Sequence, residues 1–287
     1  MKTRILSAAV LLPLFLVVVL VLPAWATAIV FGAVASLAVY ELMYRTGMMK
    51  NLRLVIYAMV MAFLVSLWSL RKSASLGAIG VMVYLLVLLG EFLWSFSRGG
   101  KLRFERLSMC LVCGLLIPYL LTAMVRIRAM YAGIDPAENA LGKYLILIPC
   151  ILTFTADSAA YFVGKAFGKH KLAPVISPKK TIEGAVGGVI ATVLLLEVYA
   201  LILDKAFGFD VIYGYGILYG ILGSTISILG DLTFSVIKRQ VGIKDYGNLI
   251  PGHGGALDRF DSMILVAPAT EILLLMLPMA VPMAGVG

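Results

Sequence analysis

Nine predominantly apolar stretches, separated by short polar breaks, occupy most of the chain, at about 5–22, 24–41, 53–70, 76–97, 108–126, 144–164, 184–203, 211–232 and 262–281. Each is close to the roughly 20 helical residues that cross a bilayer's hydrocarbon core. The pattern predicts an all-α, polytopic integral membrane protein with about nine transmembrane helices. The longest polar gaps are too short for a soluble domain of useful size, and neither an internal repeat nor a low-complexity segment is visible. One membrane domain is expected, with scaffold helices over 1–130 and a catalytic region over 140–287.

The reason for that division is where the charged residues fall. Apart from Glu41 and Glu91, the first five stretches carry few polar side chains and read as scaffold or lipid contact. From residue 144 onward, Asp157, Glu183, Glu197, Asp231 and Glu271 lie within or at the ends of apolar stretches. Ionisable groups there are costly and usually face a protein interior or a water-filled cavity. Glycine pairs four apart in "GAVGG" (184–188) and "GYGILYG" (214–220) read as sites of close helix packing. Glu91, Glu197 and Glu271 have no motif around them.

Composition sharpens this picture: 62% of the 287 residues are hydrophobic and 14% charged, which excludes an ordinary soluble globular class. The formal charge of +9 could suit nucleic acid on a soluble surface, but here its distribution reports orientation. With the N-terminus inside, 18 of the 24 Lys and Arg fall in inner segments and six outside. The positive-inside rule then predicts N-in, C-out, and no nucleic-acid partner is expected. "MKTR" before an apolar core, with "AWATA" after it, resembles a secretory signal, although the core is long for one. The first stretch is therefore read as a retained helix. Cys110, Cys113 and Cys150 all lie in apolar stretches and read as buried, inert thiols; "CLVC" has no second pair and no nearby histidine.

Candidate chemistry gathers in three segments. If the helix through "GSTISILGDLTFSVIKRQ" continues past Asp231, then Asp231, Ser235 and Lys238 share one face. "KDYGNLIPGHGGALDRFD" (244–261) follows, with a glycine-rich break that lets backbone N–H groups approach an anion. Asp258 and Asp261, three apart, suit a hard divalent cation, and Asp231 could complete that shell. Lys244 and Arg259 are placed to neutralise phosphate, and His253 reads as a phosphate or metal-shell residue. In "SPKKTIEG" (177–184), Ser177 and Pro178 read as N-cap and N1 of a helix, which would crowd Lys179, Lys180 and Thr181 at its positive end. Asp157 reads either as a structural acid or as a metal or nucleotide ligand, and His170 as a solvated loop residue. Neither a P-loop nor a dinucleotide-binding glycine motif occurs.

Ser235, Lys238, Arg239, Lys244, Asp245, Gly247, Pro251, His253, Gly254, Gly255, Asp258, Arg259 and Asp261 match, in type and spacing, the signature of the phosphatidate cytidylyltransferases. "SPKKTIEG" and the segment from Asp157 to Lys171 also resemble the bacterial members. Ala256 is a mild departure, where a larger aliphatic is usual. The resemblance implies a bacterial inner-membrane enzyme, with its site on the cytoplasmic side, that joins CTP and phosphatidic acid into CDP-diacylglycerol and pyrophosphate. It implies Mg²⁺, which the spacing of the acids assigns to Asp231, Asp258 and Asp261, and leaves a second ion and a homodimer open. Asp231, Lys238, Lys244, His253, Asp258, Arg259 and Asp261 would be catalytic. Asp157, Lys179, Lys180, Thr181, Glu183, Ser235, Arg239, Asp245, Gly254 and Gly255 would bind substrate.

One alternative belongs to another class and a second lies within the enzymes. Intramembrane acids and broken glycine-rich segments also mark ion-coupled transporters, although no repeat is visible and the motifs crowd at one face. CDP-alcohol phosphotransferases share the lipid-headgroup chemistry, but their D-G-x-x-A-R motif does not occur.

Overall fold

Every apolar stretch carries a helix in the computed structural model, which describes residues 2–70, 74–99, 102–131, 136–249 and 254–281. In order these are α1 (Lys2–Leu16), α2 (Ala24–Tyr40), α3 (Leu52–Trp68), α4 (Ala74–Ser97), α5 (Phe104–Leu111), α6 (Ile117–Leu121), α7 (Ala123–Arg128), α8 (Pro136–Leu145), α9 (Leu147–Phe167), α10 (Ile182–Lys205), α11 (Tyr215–Gln240), α12 (Leu257–Phe260) and α13 (Met263–Met276). Four short strands accompany them: β1 (Lys171–Ala173), β2 (Ser177–Thr181), β3 (Asp210–Val211) and β4 (Ala280–Val281). Among the described residues, six helical segments are long and apolar enough to cross a membrane: Ala24–Arg45, Ser75–Ser97, Phe104–Arg128, Ala140–Phe167, Ile182–Lys205 and Tyr215–Gln240. Ala9–Val21 and Leu52–Trp68 are shorter apolar helices. The protein is an integral membrane protein.

Contacts divide the chain into two compact units, Met1–Val125 with Ile243–Arg259, and Arg126–Gly242 with Phe260–Gly287. In the first, α2 and α3 pack through Phe31, Ala35, Ala38, Leu54, Ala58 and Ala62, all buried. Two hydroxyls bond across this pair, Ser66 to the Ala28 carbonyl at 2.7 Å and Ser36 to the Met59 carbonyl at 2.8 Å. Such bonds satisfy polar groups that find no water at membrane depth. One turn of π-helix follows α2, Glu41–Arg45. Wide turns of this kind tend to occur at functional positions in helices.

The second unit is built on α9, α10, α11 and α13. Helices α9 and α10 approach closely because a Cβ at Gly184 or Gly188 would lie 2.6 and 2.8 Å from the Ala160 and Ala156 carbonyl oxygens. This agrees with the packing role read from "GAVGG". Between these helices β1 and β2 form an antiparallel hairpin, pairing Lys171 with Thr181 and Ala173 with Ser177. The expected helix start at Ser177 is therefore corrected: α10 begins at Ile182 and Thr181 is its N-cap. Thr181 has extended backbone (φ −124°, ψ 154°), and its hydroxyl accepts the Gly184 N–H at 3.1 Å. Pairing with β1 holds the preceding residues extended and overrides the local Ser-Pro signal. Glu271, without a motif in the sequence, forms a two-pronged pair with Arg126, both contacts at 2.7 Å.

Candidate active site

Helix α11 continues unbroken to Gln240, so the condition for a shared face is met. Ser235 donates to Asp231 Oδ1 at 3.3 Å, one turn back. Lys238, one further turn on, places its Nζ 3.6 Å from Asp261 Oδ2, with both side chains 11% exposed. The hairpin delivers a second ammonium, because Lys180 on β2 forms an ion pair with Asp231 Oδ2. Glycine at position 230 permits this gathering: a Cβ there would stand 3.0 Å from the Ser262 Cα and 3.3 Å from the Asp261 carbonyl. Two carboxylates and two ammonium groups thus face one another within the second unit.

Asp261 and Lys238 are the most deeply buried of the four charged groups. Burial first, then the neighbouring Asp231 and the more distant Asp157, pushes the Asp261 carboxyl up to about 7, against the pull of Lys238 and the Ser262 N–H. That N–H donates to Asp261 Oδ1 at 2.8 Å. A carboxyl raised on folding costs stability that is absent below its ordinary value and fully present above about pH 7. In chelator, wild-type thermal stability should therefore fall as pH rises through that interval. Asp261→Asn should flatten the slope and be the more stable protein at pH 8, as read by thermal unfolding in detergent. Equal slopes in the two proteins would contradict the burial of a charge-prone Asp261.

A different construction appears in the first unit, in the loop after α11. Asp258 is buried, and its Oδ2 accepts N–H groups from Tyr246 at 2.8 Å, Gly255 at 2.9 Å and Gly247 at 3.4 Å. A carboxylate that gathers several N–H groups fixes the path of the chain around it. Gly254 enters this arrangement at φ 86°, a conformation that suits glycine. Glu41, from the π turn after α2, accepts the Ala256 N–H at 3.1 Å on Oε1 and the Leu257 N–H at 2.8 Å on Oε2. It is 3% exposed. From the sequence alone Glu41 reads as part of a scaffold. The available signal was a lone acid at the end of an apolar run, where a charge demands partners.

Lys244, Asp245, Arg259, Lys179 and Asp157 are exposed. Arg239 is exposed and its Nε donates to the Ile176 carbonyl at the hairpin turn, 3.3 Å away. Glu183 closes the base of the hairpin, accepting the Lys169 and His170 N–H groups at 3.0 and 3.2 Å and meeting His170 Nδ1 at 2.6 Å. His170, expected to be a solvated loop residue, is exposed and held by that contact. His253, with Pro251 and Gly252, lies outside the described residues. Among the described residues no group of three His, Cys, Asp or Glu side chains is arranged to hold a metal ion. The Asp231 and Asp261 carboxylates suit a cation that takes part of its shell from a ligand.

The chain matches the sequence profile of the cytidylyltransferase family over residues 2–277. It is 37% identical to the phosphatidate cytidylyltransferase of Pseudomonas aeruginosa over 282 residues, covering 96% of this chain and 97% of that protein. The protein of the same name from Haemophilus influenzae is 33% identical over 282 residues, covering 93% and 96% of the two chains. The Bacillus subtilis one is 32% identical over 283 residues, covering 96% and 97%.

Proposed function

The chain belongs to the cytidylyltransferase family, and on that basis we propose that it transfers the cytidylyl group of CTP to phosphatidate, giving CDP-diacylglycerol and pyrophosphate. The geometric observation behind this reading is the meeting of Asp231 and Asp261 with Lys180 and Lys238. An oxygen of the lipid phosphate attacks the α-phosphorus of CTP, the bond from that phosphorus to the bridging oxygen breaks, and pyrophosphate leaves. Such a displacement asks little covalent chemistry of the protein, and mostly positioning and neutralisation of charge.

Each group then has a part to play. Lys180 and Lys238 are already directed at the acidic cluster and can turn to phosphate oxygens as these arrive. Ser235 holds Asp231 in orientation. Asp231 and Asp261 would hold Mg²⁺, an ion that is satisfied by one or two carboxylates together with substrate phosphates. Bound there, it would neutralise charge on the phosphates, and binding would favour the ionised form of Asp261. Asp258, in this reading, orders the loop that carries Lys244 and Arg259 and leads, three residues on, to Asp261. The basic inner segments and the cytosolic origin of CTP support an active site on the cytoplasmic side of a bacterial inner membrane. The acyl chains can remain in the bilayer while the headgroup reacts.

Purified protein in mixed micelles with phosphatidate, Mg²⁺ and CTP labelled at the α-phosphate should move label into the organic phase, and chelator should stop it. A folded preparation that transfers no label would overturn the reading.

A further inference from the structure

Glu41 lies about two hundred residues before the glycine-rich loop in sequence, on a helix that carries no recognised motif. Its two carboxylate oxygens nevertheless take the N–H groups of the consecutive residues Ala256 and Leu257. The space around it is fitted to those oxygens. A Cβ at Gly247 or at Gly255 would run into the Glu41 carboxylate. One turn of π-helix onward, Arg45 Nη1 donates to Asn248 Oδ1 at 2.8 Å, so the same element grips the loop at a second point. Asp258 then collects the loop's own N–H groups. The two buried acids act on the loop in different ways, since Asp258 closes it on itself and Glu41 fastens it to α2.

We propose that Glu41 is a positioning residue for the transferase reaction, acting through Ala256 and Leu257 to hold the loop that carries Lys244 and Arg259. The proposal rests on the transferase reading, because that reading gives the loop its function. A carboxylate is required rather than an amide or an apolar group, since two adjacent N–H donors must each meet an acceptor. Glutamine offers one acceptor and turns a donor toward the other N–H, with little change of volume. A buried donor without an acceptor costs enough to shift a local equilibrium by about tenfold or more. The equilibrium between the loop's ordered and open forms is therefore expected to move by that factor toward the open form in Glu41→Gln.

The test pairs kinetics with hydrogen–deuterium exchange on the full-length protein in micelles. Glu41→Gln should exchange about tenfold faster over residues 254–262, with no matching change in α9 or α10. Its KM for CTP should rise, by up to about tenfold, while kcat falls. A role confined to global stability would lower the folded fraction, which scales kcat and leaves KM unchanged. Unchanged KM, or unchanged exchange over 254–262, overturns the proposal. Should Glu41→Gln fail to fold, Gly247→Ala displaces the same carboxylate with a methyl group and should give the same two signatures. If the wild-type protein transfers no label from CTP, the transferase reading fails and takes the positioning role with it. Exchange over 254–262 then still decides whether Glu41 clasps the loop.

Discussion

Asp231→Asn is expected to lower label transfer from CTP to lipid by about a thousandfold, a loss of about 4 kcal/mol in transition-state stabilisation. Asp231 meets Lys180, receives the Ser235 hydroxyl and adds to the charge pressure on Asp261. The amide keeps the shape and the bond from Ser235, but it gives up the charge that would hold the metal. Folding should be nearly unaffected, because the ion pair with Lys180 is partly exposed and such pairs contribute at most about 1 kcal/mol. Mg²⁺ should raise the unfolding temperature of the wild-type protein at pH 8 and leave that of the variant in place. Activity within tenfold of wild type would remove Asp231 from the proposed metal site.

The second large effect is expected at Asp258. Alanine there strips the acceptor from the Tyr246, Gly247 and Gly255 N–H groups together. Each buried donor left unmet costs about 1–3 kcal/mol, so the loop should rearrange rather than keep its path. We expect Asp258→Ala to lose activity by about a hundredfold or more and to exchange rapidly over residues 244–258. Asp258→Asn retains one acceptor oxygen and should fall between alanine and the wild type. Both variants are read in the same labelled-CTP assay. Wild-type kinetics in Asp258→Ala would show that the loop's order does not matter to the reaction.

Asp258 and Asp261 also show how differently two acids of one short motif can be used. Their spacing placed both in a metal shell. In the structure the first is occupied by backbone N–H groups, while the second sits with Lys238, under the influence of Asp231 and Asp157. Spacing states which side chains can lie near each other and carries nothing about which of them the backbone will claim. The hairpin before α10 behaves in the same way. Ser177 and Pro178 carry a sound local signature for a helix start, yet β1 pairs with that segment and the helix waits for Thr181. Lys180 reaches Asp231 from a strand, one residue before the N-cap of α10.

Residue order was enough to establish the membrane class, the helical character of each apolar run and the family, since hydrocarbon thickness imposes run length and a signature needs only residue types and spacing. It was also enough to place Asp231, Ser235 and Lys238 along one helix, because that relation is local and set by the helical repeat. Three pairings came from the folded chain: Lys180 with Asp231, Lys238 with Asp261, and Glu41 with Ala256 and Leu257. They join positions dozens to hundreds of residues apart, where no periodicity reaches. They follow from backbone paths that bring buried charges and N–H groups to the partners their burial requires.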